Sequence, residues 1–435
     1  MTAPRVLVSS VTSWNDRVGA DTYSALFLDY DIDSLANLYI REEMPNSRVC
    51  ARYFKISESK VLRSVLSRGI RTGKELRGVA PDPDEDDLAA QRDTADRYGK
   101  HRRRRSWLLL CARELAWRLG RWRTAELDAF LDDFEPEVVL FGMEGYIHFN
   151  RINRYIVKRT GARAIGYFYD DNFTYKQHPW SIGYRVYRFF QRRDLRKTAR
   201  CCTAFFAISP KTKAECDAFF GIDSVLLTKP VESQSGVWTP YSPGDPIRML
   251  YTGNLLYGRL NALSLISDAL RRVNEAGLRV VADVYTTTAL TEAETSRLDV
   301  AVRVHPSVAQ GEVLAMQRSA DVLLFIEDVT GPHRSVSRLS FSTKLTDYMA
   351  AGRAVLAVAA PNVAPLEYLK AEDAALCASS PDEILRQLQR ITADPSVIQE
   401  YGSRAFACGQ RNHDARSVRK RLYDTIDGVL RSVAP

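Results

Sequence analysis

The sequence predicts an α/β protein made of two parallel-sheet domains. Short apolar runs of buried-strand type alternate with helical patterns along the chain. The alternation breaks once, between Thr228 and Pro246, where Pro230, Gly236, Pro240, Pro243, Gly244 and Pro246 crowd together. The length of 435 residues also exceeds what one ordinary core accommodates.

Residues 5–10 read as the first strand, and Trp14 to Thr22 as a loop with Gly19 just ahead of a helical pattern. Strand, glycine-containing loop and helix make the opening of a Rossmann-like half. Further strands are expected at 33–39, 138–141, 163–169, 204–208 and 224–227, with helices at 106–134, 148–159, 182–200 and 210–219. After the break the pattern restarts. Strands are expected at 247–251, 278–284, 301–304, 321–326, 354–358 and 374–377, and three helices close the chain. The expected domains are 1–230 and 247–410, joined by a linker at 231–246, with a helix at 411–435 that can cross back to the first domain.

No apolar run approaches the ~18 residues of a membrane span, and Met1-Thr2-Ala3-Pro4-Arg5 is not a signal-peptide pattern. The expectation is a cytoplasmic protein, or one held on the inner face of a membrane. Seven cysteines and six histidines are scattered without metal-ligand spacing, so reduced thiols and no metal or cofactor are expected. The net charge is +8. Asp82, Asp84, Glu85, Asp86 and Asp87 form an acidic stretch, expected to be a mobile loop, ahead of a basic one containing Arg102–Arg105.

The stretch from Ser340 to Leu356 is a helix feeding a strand, with small hydroxyl residues able to cap its start and Gly352 to close it. Leu345, Tyr348, Met349 and Gly352 share one face, which should be core. Lys344 and Asp347 lie three apart on a neighbouring face near the helix start. A cation and a carboxylate there suit a nucleoside diphosphate. Lys344 and the first backbone N–H groups, at Ser342 and Thr343, would meet the phosphates, and Asp347 the ribose hydroxyls. A solvated ion pair is the plainer alternative. Tyr251 to Arg259 is a strand end, a turn at Gly253-Asn254 and a basic residue before a helix, at the strand end where open α/β sheets bind ligands.

Both stretches resemble segments of GT-B glycosyltransferases, in particular family-4-type enzymes. Ser342-Thr343-Lys344-Leu345-Thr346-Asp347-Tyr348 is similar to their "S-x-K-L-x-E-Y" run, and Tyr251-Thr252-Gly253-Asn254-Leu255 to their "Y-x-G-R/N-L" run. The resemblance implies a GT-B fold of two Rossmann-like domains facing across a cleft. It also implies a nucleotide-diphosphate-sugar donor, with Asp347 on the ribose, Lys344 and Arg259 on the diphosphate, and Gly19 approaching the donor from the first loop. Asn254 stands where many members carry arginine. If Asp347 takes the second acidic place of the family's Glu-x7-Glu motif, the first falls on Leu339, which cannot bind sugar hydroxyls. Glu327, Asp328, His333 and Arg338 remain open as substitutes. The resemblance covers most of residues 200–400.

In the first half, Asp170 and Asp171 follow a strand and could orient an acceptor hydroxyl or act as a base. Asp-Asp-Asn is equally ordinary turn chemistry. Glu144 and His148 are further candidates. Helix 106–120 carries a stripe of Leu108, Ala112, Leu115 and Leu119, and helix 182–200 interleaves arginines with Tyr184, Tyr187, Phe189 and Phe190. Such helices suit an anionic membrane surface or a diphosphate-linked lipid; the alternative is core stripes with solvated backs.

The expected function is transfer of a sugar from a nucleotide-diphosphate sugar to a lipid-linked or polysaccharide-precursor acceptor, retaining and metal-independent. A sugar-nucleotide epimerase of similar fold and a non-catalytic basic binding protein are the alternatives. No nucleic-acid reader motif is present.

Overall fold

The computed structural model describes residues 3–16, 22–67, 69–85, 87–88, 91, 107–177, 181–232 and 236–432. The chain forms two units. The first comprises Met1–Ile208, Thr212–Leu227 and Arg419–Pro435, the second Ser209–Lys211 and Thr228–Val418.

The first unit holds an eight-stranded sheet: β1 (Val6–Ser10), β2 (Leu35–Tyr39), β3 (Arg52–Ile56), β4 (Gly73–Arg77), β5 (Val138–Gly142), β6 (Arg163–Phe168), β7 (Ala204–Ala207) and β8 (Val225–Leu226). Their order is β4-β3-β2-β1-β5-β6-β7-β8, and only β4 runs antiparallel to its neighbour. Central β1 and β5 are buried throughout, which is why they read as unbroken apolar runs. β1 pairs with both β2 and β5, Val6 opposite Leu35 and Val138. The sheet therefore reverses direction of growth between β1 and β5.

Strands β3 and β4 were not expected, because charges interrupt their apolar pattern. Lys55 is buried in β3, with its ammonium 2.9 Å from Asp87 and 3.5 Å from Glu42. Asp84 and Asp87 also hold Lys74 of β4. These two acids of the stretch expected to be a mobile loop thus neutralise cations of the sheet edge. The expected helix 106–134 is two helices, Trp107–Leu119 and Ala125–Phe134. Between them a Cβ on Gly120 would lie 2.6 Å from the Val61 carbonyl oxygen, so the chain turns where only glycine fits. Thr124 starts the second helix by accepting from the Leu127 N–H.

The 107–119 helix turns its apolar stripe outward. Its Trp117 is buried, stacked 4.5 Å from the His148 ring, while Leu108, Leu115 and Leu119 face outward. Polar anchoring decides this. Arg113 pairs with Glu58, and Glu114 accepts from the Ile147 and His148 N–H groups at the start of helix Ile147–Thr160.

The second unit holds β9 (Ile247–Thr252), β10 (Val280–Thr286), β11 (Val302–Pro306), β12 (Val322–Ile326), β13 (Ala354–Val358) and β14 (Leu376–Ala378). All are parallel, in the order β11-β10-β9-β12-β13-β14. This is the Rossmann order, with its reversal between β9 and β12. Helices Arg259–Val273, Thr343–Ala351, Pro381–Ala393 and Ser396–His413 are among those that connect and cover the sheet.

The domain boundaries differ from expectation. The described residues 236–246 of the expected linker pack along the second unit. Trp238 donates to the Gly352 carbonyl, Tyr241 to that of Asp321, and Arg353 stacks 3.6 Å from the Tyr241 ring. The last helix, expected at 411–435, runs from Ala415 to Arg431 and divides between the units after Val418. Val231 bridges to Asp414, holding the 414–418 turn on the second unit. From Arg419 on it belongs to the first unit, where Arg419 pairs with Asp29 and Arg163 reaches the Ser432 carbonyl.

Candidate active site

In an open parallel sheet the strand ends at the reversal diverge and leave a crevice at their carboxyl ends. In the second unit that place lies beyond β9 and β12, and the residues singled out in the sequence gather there. Gly253 follows β9 with φ +145°, and a Cβ on it would lie 1.9 Å from Lys344 Nζ. Only glycine leaves that ammonium its place. Lys344 lies over the Tyr251 ring at 4.8 Å. Burial and the neighbouring Arg259 bring its pKa down to about 8.

Lys344 reaches this point because it stands in the first turn of helix Thr343–Ala351. The helix buries Leu345, Tyr348 and Met349 and ends at Gly352, with φ +65°. Ser342 has the extended backbone of an N-cap, but its hydroxyl makes no capping bond, so its first N–H groups are not taken by that side chain.

Arg259 starts helix Arg259–Val273 and is held on both sides, donating to Asn254 Oδ1 and to Glu327 Oε1, each at 2.8 Å. Burial opposes its charge, but Glu327 outweighs that and holds its pKa above the ordinary value. Asn254, where a second arginine was missed, instead orients Arg259. Glu327 follows β12, so this pair joins the two strands at the reversal. Next to it, Asp328 is buried and shapes the following loop, accepting from the Gly331 and His333 N–H groups. Leu339 is fully buried.

Asp347, one turn beyond Lys344, is met by a residue that sequence reasoning missed. Lys229 Nζ lies 2.6 Å from Asp347 Oδ1. Burial pushes the Asp347 carboxyl above its usual range, while Lys229 and Lys344 pull it back. Nothing local marks Lys229, since its partner lies 118 residues away. The arrangement offers cations, helix N–H groups and one carboxylate around an open glycine turn. That is chemistry for a diphosphate bearing a hydroxylated group.

In the first unit the corresponding place lies beyond β1 and β5. Gly19 and its loop residues 17–21 lie outside the described residues. Glu144 follows β5 and accepts from the Tyr169 hydroxyl beyond β6. It remains partly exposed although densely surrounded. Burial raises its pKa to about 7, against the Tyr169 hydrogen bond and with help from neighbouring Asp170. Asp170 is half-buried beside it. Asp171 is buried, with its two oxygens accepting from the Thr174 N–H at 2.9 Å and the Thr174 hydroxyl at 2.5 Å, as in a turn cap. His148 is buried under Trp117 and bonded to Glu114.

Residues 262–424 match a family model described as "Glycosyl transferase-like". Solved structures share the whole fold at low identity. The Anabaena protein HepE, in complex with UDP, matches with a TM-score of 0.62 and 10% identity, covering 98% of this chain and 100% of its own. An α,α-trehalose 6-phosphate synthase from Burkholderia multivorans matches with a TM-score of 0.59 and 11% identity, covering 99% and 98%. No curated protein sequence is similar enough to count as a relative. The second half thus carries a glycosyl transferase-like domain, and the whole chain shares the fold of these solved glycosyltransferase structures.

Proposed function

We propose that this glycosyltransferase takes a nucleoside-diphosphate sugar, bound beyond β9 and β12, and moves the sugar to a lipid-linked or polysaccharide-precursor glycan. The observation that carries the donor is the placing of Lys344 and Arg259 against the Gly253 turn. Two cations and the start of helix Thr343–Ala351 stabilise the negative charge that grows on the departing diphosphate, so the reaction proceeds without a divalent metal. Asp347 accepts from the ribose hydroxyls, exchanging Lys229 for them. Ser342 and Thr343 turn backbone N–H groups toward the phosphates. HepE has been solved with UDP and with UDP-glucose, which makes a UDP-sugar the first donor to try.

On the acceptor side, Asp170 stays a candidate for binding the incoming hydroxyl, with Glu144 beside it as the better base. The bonds Asp171 makes to Thr174 favour a turn role for it. Retention of configuration follows the family resemblance. Proton NMR of the product reads it directly.

The test is turnover of UDP- and GDP-sugars with a panel of lipid-linked and soluble glycan acceptors, followed by mass spectrometry, with EDTA present. The expected result is a glycosylated acceptor, with free nucleotide appearing only when acceptor is added. Conversion of the donor to an isomer without acceptor would assign an epimerase instead. Strict dependence on manganese or magnesium would remove the metal-free reading.

A further inference from the structure

Helix Trp107–Leu119 and helix Ile182–Ala199 pack against each other in the first unit, and both present apolar side chains to solvent. Leu108, Leu115 and Leu119 on the one, and Ile182, Phe189 and Phe190 on the other, are 54–81% exposed. At ~100° per residue the leucines lie opposite the Arg113, Glu114 and Trp117 face that anchors the first helix inward. The orientation is thus built in by buried contacts, and the outward leucines are its consequence. Single exposed apolar residues need no explanation, but a set of six on adjoining helices marks an interaction surface.

The charges name the partner. Each helix contains one acid, and both acids point inward. Glu114 caps helix Ile147–Thr160, and Asp194 pairs with Arg154 at 2.7 Å. The exposed charges on the two helices include Arg118, Arg185, Arg193 and Lys197, all positive. A second copy docked by a twofold axis would bring these cations against themselves. A surface of anionic lipid headgroups neutralises them and takes the apolar side chains among its acyl chains.

We propose that this face docks reversibly on an anionic lipid bilayer. Helix Ile182–Ala199 lies in the interface plane; no described helix is long and apolar enough to cross a membrane. The docking is independent of the donor site, since none of its residues is among those assigned to the nucleotide sugar.

The experiment is cosedimentation of the full chain with phosphatidylglycerol/phosphatidylcholine vesicles and with pure phosphatidylcholine vesicles, at low and high salt. Binding is expected to the anionic vesicles alone and to be released by salt. Arg185→Ser/Arg193→Ser/Lys197→Ser should weaken it on the order of a hundredfold. Phe189→Ser/Phe190→Ser should weaken it by about tenfold or more. All five positions are exposed, so both variants should keep the wild-type Tm, and their affinity for UDP-sugar should not change. Three results would overturn the proposal: wild type that ignores anionic vesicles, variants that bind them as well as wild type, or sedimentation of the free protein as a dimer that the phenylalanine variant dissociates. The last would assign the face to a second copy.

Discussion

Lys229 Nζ and Asp347 Oδ1 stand 2.6 Å apart, so the carboxylate assigned to the ribose is already held by a cation. Two consequences follow for donor binding. Asp347→Ala should weaken it by about 1.5–3 kcal/mol, the range for hydrogen bonds to a charged group, without unfolding the protein. Isothermal titration with a UDP-sugar checks this, and unchanged affinity would remove Asp347 from the site.

Lys229→Met should act through pH. Burial already pushes the Asp347 carboxyl up, and losing Lys229 removes the main cation opposing that push. The carboxylate accepts from hydroxyls only while ionised. Donor affinity in the variant should therefore fall on acidification at a higher pH than in wild type. Coincident profiles would show that the ion pair does not control the site.

Lys344 sets the alkaline side. With a pKa brought down to about 8, its ammonium is present below that pH and lost as pH rises through it. Donor affinity should drop by up to about tenfold per unit above pH 8, and binding at pH 9 should take up protons. Titrations in buffers of different ionisation enthalpy measure the uptake. Lys344→Arg, which stays charged, should abolish it. Lys344→Ala and Arg259→Ala should each lower kcat more than they alter sugar preference.

Glu144 sets the acid side if it works as a base. Its pKa of about 7 leaves it protonated in mild acid, so kcat/KM should fall about tenfold per unit below pH 7, a limb that Glu144→Gln removes. Stability moves too. The folded pKa lies above the ordinary 4.5, so folding loses stability as pH rises from that value through 7. Glu144→Gln should then raise Tm at pH 8 and leave it unchanged at pH 4. A lost limb with an inverted product anomer would assign proton abstraction to Glu144. A retained anomer would leave it as a hydrogen-bond acceptor.

Glu114 tests the architecture of the first unit. It satisfies two N–H groups at the start of helix Ile147–Thr160 and one nitrogen of buried His148. Glu114→Ala should cost about 1–3 kcal/mol in urea unfolding, the penalty of leaving buried donors without their acceptor. Leu115→Ser, on the outward face of the same helix, should cost little.

The sequence alone determined the alternation of strands and helices, the break near residue 230 and the helix ending at Gly352, because each rests on local pattern. An apolar run, a helical period and a closing glycine are visible within a dozen residues. It also pointed to Lys344, Asp347, Gly253 and Arg259 as neighbours of one crevice, through helix periodicity and strand-end position. Tertiary structure decided whatever depended on distant partners. Strands β3 and β4 exist because Asp87, Glu42 and Asp84 neutralise Lys55 and Lys74, which no local pattern records. The outward leucines follow from Glu114 finding the start of another helix, a contact that the stripe itself does not record. The return of Arg419 to Asp29 and the ion pair of Lys229 with Asp347 likewise span 390 and 118 residues. Periodicity sets which side chains share a face. Buried charges, which are costly unless paired, decide which face turns inward.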